Sequence, residues 1–385
     1  YNGTLANQVA TTGVEGLRTI VPVSAISSWY DYYRANGLVV APHSATQGVG
    51  ENEYLGEDTD VLADFIAARM RTTCAAQRRK LVARQDRVTG DYSDFWAKRN
   101  YLPRARKVKA SVFVVHGLND WNVKAKAFAA WWERLDVPRK LWLHNGGHGG
   151  PQGTTDYKRT ENRWFDHWLF GVPNGIMAEP RVKLQREDGT YTSEGQWPAA
   201  GTRMTRMWLS RSGGLSTRGS RGSRRSETFV DRGRELDTDD VLIQNPGADH
   251  PNRLAYRTRA LAKDVRLSGT PWVSLKLAVE NRIAANLTAV LVDYSSGAPV
   301  MVTRGWLDPQ NRSSDARSKR VRPGRTYHLR WDMQPDDYLF KAGHRIGLVV
   351  VSTDHDYTIR PRPGTRLSLT PRGSTLMLPL VGGPN

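Results

Sequence analysis

The feature that most constrains the fold is a repeated order of apolar run, polar turn and helical pattern in the first part of the chain. Residues 111–115 and 140–143 are apolar runs of strand length, and each precedes a tryptophan-rich helical pattern, around Trp131 and Trp164. Residues 19–26 form a similar apolar run after a helical start. Apolar strands that alternate with amphipathic helices are typical of a parallel sheet covered on both faces.

The second part of the chain has a different pattern. Beyond about residue 175 the helical periodicity fades, and short alternating segments separated by Gly, Pro and Asp take over, as at residues 345–351. Such segments are typical of a β-sandwich or jelly roll. The sequence therefore predicts an α/β domain over residues 1–175, with a helical insertion at about 57–106, and an all-β domain over residues 176–385.

The turns after two of the predicted strands carry an acid and then a histidine. Asp120 ends His-Gly-Leu-Asn-Asp, and His148 ends His-Asn-Gly-Gly-His. In an α/β-hydrolase the triad follows the chain order nucleophile, acid, histidine. Taken singly, Asp120 is also typical of a helix cap. Taken in order, each at its own strand end, the two residues predict the acid and the general base of a serine hydrolase.

The nucleophile of such a triad is expected upstream of Asp120. A nucleophile elbow has the pattern G-x-S-x-G between a strand and a helix. Gly3 stands where the last glycine belongs if a serine immediately precedes Tyr1. We therefore expect the nucleophile just before Tyr1, and we expect the N-terminal part of the same protein to be a partner of this chain.

Composition narrows the class further. Cys74 is the one cysteine, which excludes an internal disulfide framework and a cysteine-based zinc site. The sequence has no apolar run long enough to predict a membrane span. The net charge of +18 comes without a nucleic-acid motif, so we expect no nucleic-acid partner. In Asp354-His-Asp356 neighbouring strand residues point to opposite faces, so we expect no shared metal ion there.

Several longer motifs resemble one family, the X-prolyl dipeptidyl aminopeptidases, which are serine peptidases related to cocaine-esterase-like and α-amino-acid ester hydrolases. The resemblance spans about residues 1–175, and the β-rich remainder is similar to the family's C-terminal jelly-roll domain. The motifs that carry it are Ser28-Trp-Tyr-Asp-Tyr-Tyr-Arg34, Asp94-Phe-Trp96, Arg99-Asn-Tyr101, His116-Gly-Leu-Asn-Asp-Trp-Asn-Val123 and Gly147-His148.

The resemblance implies a fold and an activity. The fold is the C-terminal part of an α/β-hydrolase sheet with a helical cap insertion, followed by an all-β jelly-roll or β-sandwich domain. The activity is release of N-terminal Xaa-Pro dipeptides through an acyl-enzyme, from peptides with Pro at the second position. Neither a metal nor an organic cofactor is implied.

The resemblance also assigns site residues. Asp120 and His148 are the triad acid and base, and the backbone N–H of Tyr1 is one oxyanion donor. Tyr32 matches a tyrosine at the pocket for the substrate's amino terminus, and Glu57 matches the glutamate that binds its ammonium group. As a separate interpretation, the aromatic cluster after the first strand contributes two further pocket-wall candidates, Trp29 and Tyr30.

Alternatives stay open at several points. The segment before Glu57 is longer than in the family, and Glu51 or Glu53 could take its role. The substrate could be an acyl ester or amide, or a longer proline-ended peptide. A different class is an inactive hydrolase fold that binds a polymer or carbohydrate. Oligomeric state is open, with a homodimer as one option, and so is the compartment, with secretion favoured.

Overall fold

The computed structural model describes most of the chain, with gaps. The described residues are 1–40, 76, 80, 83–86, 88–219, 225–232, 239–354, 357–358 and 363–383. The predicted roles of Glu51, Glu53 and Glu57 therefore lie outside the described residues, as does half of the helical insertion predicted at about 57–106.

The elements of the described part are as follows. The α-helices are α1 Asn2–Ala10, α2 Trp29–Tyr33, α3 Asp94–Ala97, α4 Lys126–Arg134, α5 Thr155–Phe170 and α6 Asp239–Leu242, and the short 3₁₀ turns are Leu102–Lys107, Ile176–Ala178 and Pro309–Asn311. The strands are β1 Thr19–Ile20, β2 Arg34–Ala35, β3 Leu38–Val39, β4 Ser111–Gly117, β5 Arg139–His144, β6 Val182–Gln185, β7 Tyr191–Glu194, β8 Thr202–Ser210, β9 Gly214–Ser216, β10 Glu227–Asp231, β11 Arg253–Arg257, β12 Val265–Gly269, β13 Trp272–Val279, β14 Leu287–Tyr294, β15 Val300–Leu307, β16 Thr326–Asp332, β17 Asp336–Phe340, β18 Arg345–Val351 and β19 Thr365–Val381.

The first sheet has the strand order β1-β4-β5-β6-β7. The pairings from β1 through β6 are parallel, and β7 returns antiparallel to β6. All seven residues of β4 are buried, because helices cover this strand on both faces. Trp131 of α4 and Trp164 of α5 are each about 1% exposed or less, as the helical patterns in the sequence predicted.

The first strand is shorter than the sequence predicts. Regular pairing of β1 with β4 stops at Ile20, and only a single bridge from Val23 to Val115 continues the predicted strand 19–26. Pro22 has no N–H to give to a ladder, and Ser24 has a left-handed φ of 45°. This break turns the chain toward the edge of the sheet where the polar turns lie.

The β-rich part forms one network of twelve strands with its own core of apolar side chains. The long strand β19 pairs with β8, β10, β12 and β13, with a bulge between Ser274 and Lys276 of β13. Strands β6 and β7, which follow the predicted boundary at residue 175, belong to the first sheet, and the predicted division of the chain stays a prediction.

Among the described residues we find no helix that combines the length and the apolar content of a membrane span.

Candidate active site

Asp120 and His148 meet at the carboxyl ends of two neighbouring parallel strands. Asp120 follows β4 and His148 follows β5, which pair in parallel from Val112 to Gly117. The His148 Nδ1 lies 2.9 Å from the Asp120 Oδ2. The Asp120 side chain is fully buried, whereas 54% of the His148 side chain is exposed. The pair thus joins a shielded carboxylate to an imidazole that solvent and a substrate can reach.

The acid loop, residues 120–126, holds the Asp120 carboxylate with backbone donors. The Oδ1 accepts hydrogen bonds from the N–H of Asn122 at 3.0 Å and of Val123 at 2.8 Å. Burial alone would raise the pKa of Asp120, but the hydrogen bonds from His148 and from the Val123 N–H hold that pKa below its ordinary value. Asp120 is therefore an anion at neutral pH.

His116, within β4, supports the acid loop through a side-chain hydrogen bond. Its Nε2 lies 2.8 Å from the carbonyl oxygen of Val123, whose N–H donates to Asp120. Complete burial lowers the pKa of His116 to about 4, against an opposing effect of Asp120. The neutral imidazole therefore carries its proton on Nε2 and donates it to Val123.

The histidine loop, residues 145–150, is held in part through the Gly149 peptide group. The Ser24 Oγ donates to the Gly149 carbonyl at 2.9 Å and accepts from the Gly149 N–H at 2.9 Å. The His144 Nε2 lies 3.2 Å from the same carbonyl, and its Nδ1 accepts from the Gly146 N–H at 3.1 Å. Burial lowers the pKa of His144, so this bridging ring is neutral. Gly149 has a φ of 111°, which other residues rarely adopt.

The start of α1 packs against the segment that contains Ser24, residues 23–26. A Cβ on Gly3 would stand 2.4 Å from the carbonyl oxygen of Val23, the residue before Ser24. Only glycine permits this approach. The Thr4 Oγ1 also accepts from the Ile26 N–H at 3.0 Å. Residues 23–26 therefore hold the first turn of α1 on one side and, through Ser24, the histidine loop on the other.

This arrangement can carry acid–base chemistry. An Nδ1–H that donates to a buried carboxylate leaves the proton-accepting lone pair on Nε2, and the carboxylate stabilises the imidazolium that forms. No cluster of three or more His, Cys, Asp or Glu suited to a metal ion occurs in the part of the chain that the structure describes.

Two family models match the chain. Residues 1–150 match the X-Pro dipeptidyl-peptidase (S15 family), and residues 174–379, more than half of the chain, match the X-Pro dipeptidyl-peptidase C-terminal non-catalytic domain. The chain belongs to the X-Pro dipeptidyl-peptidase family. The family resemblance stated from the sequence motifs is thereby confirmed.

Individual relatives agree with this family. The chain is 52% identical over 388 residues to a "Putative Xaa-Pro dipeptidyl-peptidase" of Bacillus anthracis, a match that covers 99% of this chain and 62% of the relative. The chain thus spans less than two thirds of that relative's length.

Solved structures show the fold. A CocE/NonD family hydrolase from Staphylococcus aureus superposes with a TM-score of 0.75 at 15% identity, covering 97% of this chain and 69% of that one. An α-amino acid ester hydrolase superposes with a TM-score of 0.75 at 15% identity, covering 99% and 75%. The predicted α/β-hydrolase fold followed by a β-sandwich is confirmed.

The structure places Trp29 and Tyr32 of this X-Pro dipeptidyl-peptidase family member near the site. The Trp29 ring stacks on the Tyr1 ring, with centroids 6.1 Å apart, and packs edge-on against Tyr32 at 5.8 Å. The Tyr32 hydroxyl donates to the Asn122 Oδ1 at 3.1 Å, beside Asp120. These two aromatic residues therefore connect the start of α1 to the acid loop.

Tyr30 does not join that group. Its hydroxyl donates to the Gly90 carbonyl at 2.9 Å, and its ring packs edge-on against Tyr92 and Trp96. Burial raises the pKa of Tyr30, so the hydroxyl stays protonated. Its position is that of a core residue of the aromatic cluster.

Sequence reasoning assigned no role to three supporting residues, His116, His144 and Ser24. The two histidines were visible as polar residues within or at the end of buried strands, an uncommon position that calls for a partner. Ser24 gave no signal, because its left-handed backbone and its contact with Gly149 depend on residues 125 positions away.

Proposed function

We propose that the protein is a serine peptidase that releases N-terminal Xaa-Pro dipeptides through an acyl-enzyme. The observation that carries the proposal is the 2.9 Å hydrogen bond between His148 and the buried Asp120 in a member of this family. The Bacillus anthracis relative bears this activity in its name. An inactive binding protein would have no use for a carboxylate held this firmly against an exposed imidazole.

We place the nucleophilic serine directly before Tyr1. The His148 Nε2 takes the serine proton as the oxygen attacks the carbonyl carbon of the proline, and the leaving amine then receives that proton. Water, deprotonated by the same nitrogen, attacks the resulting ester and frees the dipeptide. The Tyr1 N–H, at the N-terminus of α1, supports the oxyanion, because the peptide dipoles of a helix favour negative charge there.

Trp29 and Tyr32 are proposed to form the wall that receives the proline ring. Trp29 is half-buried and stacks on Tyr1, so it lies beside the proposed nucleophile. Flat aromatic faces accept a pyrrolidine ring through apolar contact. The substrate's ammonium group is assigned to Glu57, with Glu51 and Glu53 as the alternatives. A buried ammonium needs an anionic partner. A carboxylate at a fixed distance from the nucleophile would therefore select cleavage two residues from the substrate's amino terminus.

The test compares three chromogenic substrates on the polypeptide extended upstream of Tyr1. We expect hydrolysis of Ala-Pro-p-nitroanilide, with N-acetylation lowering kcat/KM about 10- to 100-fold, as expected for loss of a charged hydrogen bond. Ala-Ala-p-nitroanilide serves as the control for proline selectivity.

The same substrates assign the amine anchor. Glu57→Gln should remove the preference for the free amine and leave cleavage of the acetylated substrate unchanged, with Glu51→Gln and Glu53→Gln as matched controls. Equal cleavage of free and blocked substrates by the unchanged protein would reject the dipeptidyl-peptidase proposal in favour of a general acyl hydrolase.

A further inference from the structure

The acid loop contacts the β-sandwich at both of its ends. Trp121, which follows Asp120, packs against β15 and the segment after β18, and Lys126, the last loop residue and the first of α4, contacts β16 and the turn after it. By contrast, the described hydrogen bonds of the histidine loop join it to β5, to β6 and the residue after it, and to the segments after β1 and β4.

A buried charged cluster contacts the Trp121 end of the acid loop. The Arg304 guanidinium packs against two rings that contact each other, with its carbon 4.7 Å from the centroid of Trp121 and 4.2 Å from that of Tyr357. Asp354 binds the Arg304 Nη1 at 2.9 Å and accepts from the Trp306 Nε1 at 2.8 Å. Asp354 is thus an ion-pair partner within the sandwich.

The burial of this cluster makes it rigid. Arg304 and Asp354 are each 1% exposed, and Trp306 is fully buried. A buried ion pair seldom adds stability over apolar packing, because desolvation offsets the Coulomb gain. The pair instead fixes the position of the guanidinium, whose carbon lies over the Trp121 ring.

The Lys126 end has its own support. The Lys126 Nζ lies 3.1 Å from an Asp332 carboxylate oxygen and 3.3 Å from Asp31, and its N–H donates to the Gln334 Oε1 at 3.1 Å. The Asn36 amide donates to the other Asp332 oxygen at 2.9 Å. Both ends of the loop are therefore tied to the sandwich by charged or amide groups.

We infer that the β-sandwich positions the catalytic acid, with Arg304 acting on Asp120 through the Trp121 ring. The peptide group between Trp121 and Asn122 supplies one of the two N–H donors to the Asp120 Oδ1. A shift of the indole moves that donor and turns the carboxylate that orients His148. The domain whose family description is non-catalytic thereby sets the geometry of the triad. This inference rests on the proposed function only where its test measures kcat and KM.

The test substitutes the two stacked residues in the polypeptide extended upstream of Tyr1. We expect Trp121→Leu to lower kcat about 10- to 100-fold with KM changed less than about 3-fold, because a misplaced acid reduces orientation rather than binding. Trp121→Phe, which keeps an aromatic face, should recover most of kcat. Arg304→Lys keeps the charge for Asp354 but loses the planar stack, and should lower kcat about 3- to 10-fold.

A double variant shows whether the two residues act together. Trp121→Leu with Arg304→Lys should lose no more kcat than Trp121→Leu alone, because residues that act through one contact are not additive. The control is Arg330→Met, which removes an arginine stacked 3.7 Å over Trp272 on an exposed face of the same sandwich. It should leave kcat unchanged.

An NMR titration of ¹³C-labelled histidine provides the readout that does not need activity. Trp121→Leu should lower the titration midpoint of His148, since its anionic partner is displaced. If the variants lower only the melting temperature, with kcat and the His148 midpoint unchanged, the cluster is a plain domain interface and the inference is overturned. A shifted midpoint in a protein that cleaves no prolyl substrate would reject the proposed function and support the inference.

Discussion

The acid loop and the histidine loop leave adjacent strands of one sheet, yet they are built in opposite ways. The Asp120 side chain is fully buried and receives hydrogen bonds from His148 and two backbone N–H groups. The His148 side chain is half exposed, and its loop is held by hydrogen bonds at Asn145, Gly146 and Gly149. The Asp120 carboxylate is a buried negative charge in a fixed position, whereas the His148 imidazole, which must exchange protons with a substrate, stays accessible.

The largest effects are expected from substitutions of Asp120 and His148. Measuring kcat and the free energy of unfolding on the same variants distinguishes the roles of the two loops. His148→Gln and Asp120→Asn should each reduce kcat by about 10⁴-fold, because either change removes the oriented base. Their stabilities should differ when the side chains are truncated. Asp120→Ala leaves two N–H groups unpaired and should lower the free energy of unfolding by about 2–4 kcal/mol, whereas His148→Ala should change it little.

Chemical denaturation and steady-state kinetics on each variant provide the measurement. His328→Gln, at an exposed histidine of the β-sandwich, is the control for both readouts. Equal destabilisation by Asp120→Ala and His148→Ala would contradict the contrast between the two loops.

A smaller effect concerns pH and the support beneath the acid loop. Burial lowers the pKa of His116 to about 4 in the folded state, against an ordinary value of 6.5. The unfolded chain therefore binds the extra proton first as the pH falls. His116 contributes stability that is complete above about pH 6.5 and is lost as the pH falls toward 4, by up to about 1.4 kcal/mol per pH unit.

Replacing the titrating ring should flatten that dependence. His116→Gln retains an amide donor toward Val123 but cannot bind a proton, so its unfolding free energy should fall less steeply between pH 6.5 and 4. Denaturant titrations at several pH values measure the two slopes. Identical slopes for the two proteins would show that His116 is not a neutral buried support.

The smallest effect tests the histidine loop alone. A Cβ on Gly149 would meet no atom within 4 Å, so Gly149→Ala introduces strain at a φ of 111° without a steric clash. We expect a cost of about 1–3 kcal/mol in stability, or a shifted loop with reduced kcat. Gly153→Ala is the matched control, because that glycine also has open space and no left-handed φ. A Gly149→Ala protein with unchanged stability and kcat would show that this loop tolerates relaxation.

The sequence predicted the fold and the acid–histidine pair because their signals are local. Apolar strands that end in polar turns bring Asp120 and His148 to one sheet edge whatever the rest of the chain does. The supports of the two loops could not be predicted in this way. Ser24 contacts a residue 125 positions away, and Gln334 caps a helix 208 positions upstream.

One local expectation needed tertiary correction. The strand predicted over residues 19–26 ends at Ile20, since Pro22 and the left-handed Ser24 redirect the backbone toward the site. Residue type favoured a strand there, and packing against distant segments decided otherwise. The role of Tyr30 as a pocket wall stays a prediction; its ring is buried and its hydroxyl donates to Gly90.

The seventeen-residue strand β19 has a consequence for the order of assembly. It is the last described strand, and it joins β8, β10, β12 and β13. During synthesis the N-terminal domain folds first, yet the sandwich cannot close before β19 has left the ribosome. The Arg304 cluster therefore reaches its final form late, and the newly made α/β domain should keep an unaligned catalytic carboxylate until β19 has been synthesised and has paired.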